Sequence, residues 1–495
     1  MNFATAAREE RTYTFTENGA RAKNTSGDSC LDFFSTVGSL RDTDLNRKIR
    51  LFENAYNEDP LSALRILFYG RDVRGGLGER DTFRQLLRYA AIRYPEYIKH
   101  NIHLIPFYGR WDDLYELIGT ECEDAMWNVI NKQIYEDWAA LQKGEGEVSL
   151  LAKWVKRGDE SSPKAKALGI LTAEKLGFTV YLWKRMVSRL RKHLDIVEAK
   201  MSTNRWDEIN YPAVPSRAAM IYRDAFHRHD VQRYEEYIQK VQNGEKKINT
   251  GTLYPYDILA KVINDIAWDL ELNPHDPTIQ ALWDNLPDYV GGKYNALVIA
   301  DTSGSMACIG FRPMYTALSL AIYFAQHNKG PFHNLWMTFS EHPAYQEIKG
   351  KDLWTILRNM DMSGWSMDTN LEAAFEKVLN TCVENNLSQE EVPASIIVIS
   401  DMEINRCEHS GWSFYEAMQN RYRTHGYEIP NVVFWNVNSR SDVYHADSQR
   451  KGVQLVSGQS ASTFNTLMKS IGMTPTEYML SVINSERYQP IQLHD

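Results

Sequence analysis

Long apolar runs are missing from this sequence. No uninterrupted apolar stretch approaches the roughly 18 residues that a membrane-spanning helix needs. Residues 1–10 already carry Arg8, Glu9 and Glu10 with no apolar segment beside them, so neither a membrane association nor a secretory leader is predicted. Cysteine is scarce. The five present (Cys30, Cys122, Cys308, Cys382 and Cys407) are odd in number and scattered, with none of the paired spacings of a zinc site or a disulfide framework. A reducing, cytoplasmic setting is therefore expected. Excess positive charge is also lacking: the net charge is −9, and from Gly291 onward 15 Lys and Arg face 21 Asp and Glu. That excludes a domain that is basic throughout, so any affinity for nucleic acid has to come from a local patch. A phosphate-binding loop is absent too. Gly75-Gly76-Leu77-Gly78 opens a helix but lacks the G-x-x-x-x-G-K-[ST] spacing and follows no strand, so it reads as a tight turn between helices.

What is present begins with Ala296-Leu-Val-Ile-Ala-Asp301-Thr-Ser303-Gly-Ser305, an apolar run ending in one carboxylate and, two and four residues on, the hydroxyls of Ser303 and Ser305. Such a run suits a strand covered on both faces of a parallel sheet, where ligand-binding side chains collect at the carboxyl end. Thr369 follows in a polar loop that feeds an amphipathic helix through Ala373, Ala374, Val378 and Leu379. Asp401 closes a second apolar strand, Ala394–Asp401. Two strand ends and one loop thus bring Asp301, Ser303, Ser305, Thr369 and Asp401 into one candidate metal site, and all five offer oxygen only. Asp368 and Glu403 lie nearby as supporting carboxylates, or as a helix cap and a solvated loop residue.

The D-x-S-x-S motif, then Thr369, then Asp401, resembles a von Willebrand factor A domain with its metal-ion-dependent adhesion site, over about Tyr294 to Val456. Hard oxygen ligands favour Mg²⁺ or Mn²⁺ over zinc. The resemblance implies that a partner's carboxylate, or water, completes the coordination shell. Catalysis is not expected, because metal-assisted hydrolysis wants a general base beside an activated water, and the obvious residues are all taken as ligands.

From Leu31 to about Pro287 the patterns are helical: Leu61, Leu64, Leu67 and Phe68 recur at helical spacing, as do Phe83, Leu86, Leu87 and Ala90. Two basic stripes stand out. Arg80, Arg84 and Arg88 fall at i, i+4 and i+8 on one helix face. Between Lys153 and Arg205, 13 Lys and Arg face five Asp and Glu, and Lys184, Arg185, Arg189, Arg191 and Lys192 lie opposite an apolar face of Leu182, Met186, Val187, Leu190, Leu194 and Val197. These two stripes are the candidate RNA-binding residues, against the alternative of solvated helix faces. Tyr108, Trp111, Trp154, Tyr181, Trp183 and Trp206 thread the same region, as base-stacking aromatics or as core.

Helices first and an A-like domain last is also the arrangement of the Ro autoantigen, whose helical-repeat TROVE module forms a ring beside such a domain. The stretches Thr16–Gly19, Cys30–Phe34, Arg71–Gly76, Leu151–Trp154, Val214–Ser216 and Ile399–Met402 are similar to domain-of-unknown-function family 2828, found in eukaryotes and viruses. If the chain is viral, the host cytoplasm is its expected location. The fold class expected is α plus α/β: an extended arm over residues 1–30, a HEAT-like helical-repeat module over 31–290, a doubly wound von Willebrand factor A-like domain over 291–473, and a C-terminal helix and tail over 474–495. The resemblances imply an RNA-binding scaffold with a Mg²⁺- or Mn²⁺-dependent site for a protein partner's acidic residue. The alternative is a protein-only assembly factor, which grips that carboxylate without RNA.

Overall fold

The computed structural model describes residues 12–494 apart from 145, 267–268, 364, 366–367 and 407–412. Cys407, Ser366 and Met367 therefore lie outside the described residues. The chain folds as α plus α/β. Helices fill the first 290 residues, and a six-stranded mixed sheet organises the rest. No helix among the described residues is long and apolar enough to cross a membrane.

The N-terminal segment, expected to be extended, is a small hairpin of β1 (Tyr13–Phe15) and β2 (Arg21–Lys23). It runs into the helix Ser29–Phe34, whose first turn is capped by the Asp28 side chain. Within the helical half a second short antiparallel pair, β3 (Ile263–Asp265) and β4 (Glu271–Leu272), interrupts the helices. The helix Val180–His193 buries Trp183, Met186, Val187 and Leu190, while Leu182 is half exposed at 50%. It also stops before Val197, which opens a separate helix after Asp195 takes a left-handed backbone, φ 51°. The apolar face expected from Leu182 to Val197 is thus corrected: Trp183 is its anchor, and the helix ends a turn too early to include Val197.

In the sheet, β5 (Ala296–Asp301), β6 (Leu335–Phe339), β8 (Ser395–Ser400), β9 (Asn431–Asn436) and β10 (Val453–Ser457) are parallel, and β7 (Ala344–Glu347) adds an antiparallel edge. The spatial order is β10-β9-β8-β5-β6-β7, so the chain reverses direction across the sheet at β5. Every residue of β5 and β8 is buried, as strands covered on both faces require. Successive residues of β9 show the two layers. Phe434 meets Phe414 of the helix Phe414–Thr424 on one side, and Trp435 meets Phe464 of the helix Thr463–Leu467 on the other. The helix Arg312–His327 buries 13 of its residues because it is sandwiched between β5 and the helix Pro255–Val262 of the helical half.

The two halves meet closely. Gly38 lies against Gly458 so tightly that an added Cβ would stand 2.7 Å from the Gly458 Cα, and the Gly38 N–H donates to Ser457 Oγ at 3.0 Å. Arg47 pairs with Asp442 (2.9 Å) and donates to the Ser439 carbonyl (2.8 Å). The C-terminal segment then crosses back. The helix Pro475–Ile483 packs on Ser29–Phe34 and Pro60–Arg71, Arg487 grips the buried Asp72 carboxylate with one contact of 2.7 Å, and Tyr488 donates to it at 3.0 Å.

Candidate metal centre and basic cavity

The reversal at β5 falls at the carboxyl ends of β5 and β8, the place where open α/β sheets put their ligands. Asp301 ends β5, Asp401 follows β8, and both are buried, with 0% and 1% exposure. The Asp301 carboxylate accepts the Ser303 N–H at 2.9 Å and the Ser400 hydroxyl at 2.5 Å. The Ser303 and Ser305 hydroxyls share a hydrogen bond of 3.1 Å, and Ser305 in turn hydrogen-bonds Asp401. Four of the five expected ligands therefore form one connected set. Thr369, fully buried, arrives on a loop tied to the end of β6 by the Asn370 N–H on the Ser340 carbonyl (3.2 Å) and to the loop after Asp401 by the Asn405 N–H on its own carbonyl (3.0 Å). Its hydroxyl accepts from the side-chain amide of Asn18, at 3.4 Å.

Burial pushes the Asp301 carboxyl above the usual range, and the charge of Asp401 adds to the shift. Asp401 is also pushed up by burial, opposed by the guanidinium of Arg440, which donates to it at 2.9 Å. Two buried carboxylates with three hydroxyls make an oxygen-only donor set that fits a hard divalent cation. Glu403 is buried as well. Its carboxylate accepts the Ser441 hydroxyl and the Glu17 N–H (2.7 Å), so it braces the loop rather than meeting solvent.

Ser400, Arg440 and Asn18 were not singled out from the sequence. Ser400 is hidden as one more residue of an apolar strand. Arg440 comes from the loop after β9, and Asn18 from the far end of the chain, so neither has a local signal. A second grouping, Asp28, Cys30 and Glu58, brings ligand atoms within 4.8 Å of one another. Its carboxylates, however, accept the backbone N–H groups of Leu31 and Ser29.

A cavity of about 1340 Å³ opens in the helical half, with Tyr289, Tyr323 and Ser460–Ser462 at the side of the sheet. Among the described residues that line it, 13 are Arg or Lys and four are Asp or Glu. Arg71 lies on its wall with Nη2 buried and without a hydrogen-bond partner. Arg110 stacks on the Trp154 ring at 4.4 Å, and Tyr254 stacks on Tyr256. Of the eight basic residues expected from the sequence, Arg80, Arg191 and Lys192 line this cavity. Arg84 instead clamps Asp112 and Asp113 (2.9 and 2.6 Å), and Arg88 donates to the Glu116 and Ile118 carbonyls. Lys184 pairs with Asp159 at 2.7 Å, Arg189 lies over Trp138, and Arg185 is exposed on the outside of its helix. Arg191 donates to the carbonyls of Ala152 and Val155. The lining takes Lys153, Lys156 and Arg205 from the basic stretch named in the sequence, but from positions off the two expected helix stripes, and adds Arg74 and Arg217 from segments outside it.

Of the expected aromatics, Tyr108 and Trp183 are core, Trp154 lines the cavity, and Trp206 stacks on His229. The amides of the Gly75–Gly78 turn are spent on Asp72 and the Tyr69 carbonyl, so the turn is a helix connection and no phosphate cradle.

A crystal structure of the Deinococcus radiodurans Ro (RSR) protein is similar at 15% identity over 90% of this chain and 92% of that one, with a TM-score of 0.34, too loose a likeness to carry a ligand across. An uncharacterised protein of Acanthamoeba polyphaga mimivirus is 28% identical over 97% of this chain and 88% of its own length. Residues 295–490 match a domain of unknown function, DUF7788, so Ile399–Met402 lies in that segment and not in the family it was first read with. A second domain of unknown function, DUF2828, matches residues 16–147 and 161–288. These two segments take in Thr16–Gly19, Cys30–Phe34, Arg71–Gly76 and Val214–Ser216 and amount to just over half of the chain, and the protein belongs to the DUF2828 family.

Proposed function

We propose that this protein is a nucleic-acid-binding scaffold, with RNA its preferred ligand, and that the α/β half is a von Willebrand factor A-like module that recruits a protein partner through a divalent cation. The observation that carries the first part is the cavity: 13 Lys and Arg against four acids on its wall, in a chain of net charge −9. Its volume, about 1340 Å³, exceeds the roughly 300–1,000 Å³ that suits one small molecule, which favours a polymer segment. Arg74, Lys153, Lys156 and Lys192 line it and carry no ion pair among the described residues, which leaves them for phosphates. Trp154, half-buried on the wall, offers a ring for an unpaired base. On this reading the helical half is a HEAT-like repeat module that wraps the bound strand.

At the sheet, Asp301, Ser303, Ser305, Thr369 and Asp401 would hold Mg²⁺ or Mn²⁺. When bound, the ion supplies an open coordination position for an acidic side chain of the partner. Asp301 and Asp401 supply the charge, and Ser400 and Arg440 orient them.

The experiment is fluorescence anisotropy with a labelled single-stranded RNA at several salt concentrations. Changing Arg74, Lys153 and Lys156 to Gln is expected to weaken binding and flatten the salt slope by roughly two to three charges. An unchanged slope would favour the protein-only assembly factor.

A further inference from the structure

The tip of the N-terminal hairpin, Thr16–Gly19, lies on the loop that follows Asp401. The Thr16 hydroxyl donates to the Ile404 carbonyl (2.6 Å), the Glu17 N–H to the Glu403 carboxylate (2.7 Å), and the Arg406 N–H to the Asn18 carbonyl (3.2 Å). The Asn18 side-chain amide reaches both the Glu403 carbonyl (2.6 Å) and the Thr369 hydroxyl (3.4 Å). One guanidinium joins the turn to the site itself: Arg440 pairs with Glu17 (2.9 Å) through one nitrogen and with Asp401 (2.9 Å) through another.

The attachment is polar and shallow. Of the described residues 12–24, Thr16, Ala20 and Ala22 alone are buried, while Phe15 is 64% exposed. An element held by hydrogen bonds over so little apolar surface opens at lower cost than the strands beneath it.

We propose that the Thr16–Gly19 turn is a resident lid on the Asp301–Asp401 site, seated where an acidic partner segment would bind, and that it lifts to admit that segment. The inference rests on the metal-site reading given above. Glu17 presents its carboxylate to Arg440 much as a partner's acidic residue would, and Asn18 covers Thr369. A partner carboxylate that takes Arg440 from Glu17 therefore removes the contact that ties the turn to Asp401.

The test places a reporter thiol under the turn. In the full chain carrying Thr369→Cys, maleimide labelling is followed by peptide-resolved mass spectrometry, which separates this thiol from the native ones. Adding Glu17→Ala and Asn18→Ala is expected to speed labelling at position 369 at least tenfold. In the chain with native Thr369, the same two changes should tighten Mn²⁺ binding several-fold, read by the electron paramagnetic resonance of the free ion. Unchanged labelling overturns the lid whatever Mn²⁺ does. Faster labelling with no Mn²⁺ bound by any variant upholds the lid and overturns the metal site. Hydrogen exchange in the unmodified chain guards against a variant that fails to fold. The amides of Glu17 and Arg406, which bond across the contact, should exchange about 100-fold faster than that of Val398. Equal rates for all three would mean that the turn never lifts separately, and would contradict the proposal.

Discussion

A methyl group at Gly38 has nowhere to go, because the Gly458 backbone and a Leu77 methyl already stand within 2.8 Å of where it would sit. Gly38→Ala is expected to cost about 1–3 kcal/mol of stability in a urea titration, as overpacking does where backbone meets backbone. Asp72 is fully buried, and Arg487 is its charged partner. Arg487→Ala should cost about 3 kcal/mol by the same measurement, the low end for stranding a buried carboxylate, because the guanidinium is itself partly exposed. For Asp301 the expectation depends on the ion. Mg²⁺ at 100 times its dissociation constant should stabilise the native chain by about 2.7 kcal/mol. Asp301→Asn should abolish that gain while leaving stability without Mg²⁺ equal or higher, because it takes one of two neighbouring charges out of a buried pair. A thermal melt of both proteins with and without Mg²⁺ checks it, and an undiminished rise in the variant would remove Asp301 from the site.

The strands β5 and β8 were legible in the sequence because each is a short unbroken run rich in β-branched residues with a carboxylate at or just after its end, a length and composition that suit a buried strand. That pattern carried Asp301, Ser303, Ser305 and Asp401 to one place. The edge strand β7, Ala344-Tyr-Gln-Glu347, was not legible, since a four-residue strand on the border of a sheet needs no apolar run. The helix Arg80–Arg93 shows a different limit. Periodicity places Arg80, Arg84 and Arg88 on one face, but it cannot tell a face turned to a ligand from one turned to Asp112, Asp113 and two carbonyls. The consequence is measurable. Arg84→Ala leaves the buried Asp113 with Arg71 as its remaining cation, so stability should fall by about 1–3 kcal/mol, while RNA affinity stays within twofold in an anisotropy titration.

The whole molecule places its two candidate sites on different elements, the carboxylates at the carboxyl ends of β5 and β8 and the cations in the cavity of the helical half. What joins them is the chain's path. The N-terminal hairpin reaches the sheet, the helices then build the cavity wall, and the C-terminal segment returns to grip Asp72. The cavity charge was legible in part: seven of its 13 cations fall in the basic stretch from Lys153 to Arg205, while the other six, among them Arg41, Arg74 and Arg217, are brought beside it only by the fold. The most direct measurement is the nuclease-sensitive nucleic-acid content of the full chain purified at low salt, compared with a Lys153→Glu, Lys156→Glu and Lys192→Glu variant. Nucleic acid bound to the native chain and lost from the variant is the predicted result; two proteins equally free of it, or equally loaded, would contradict the account.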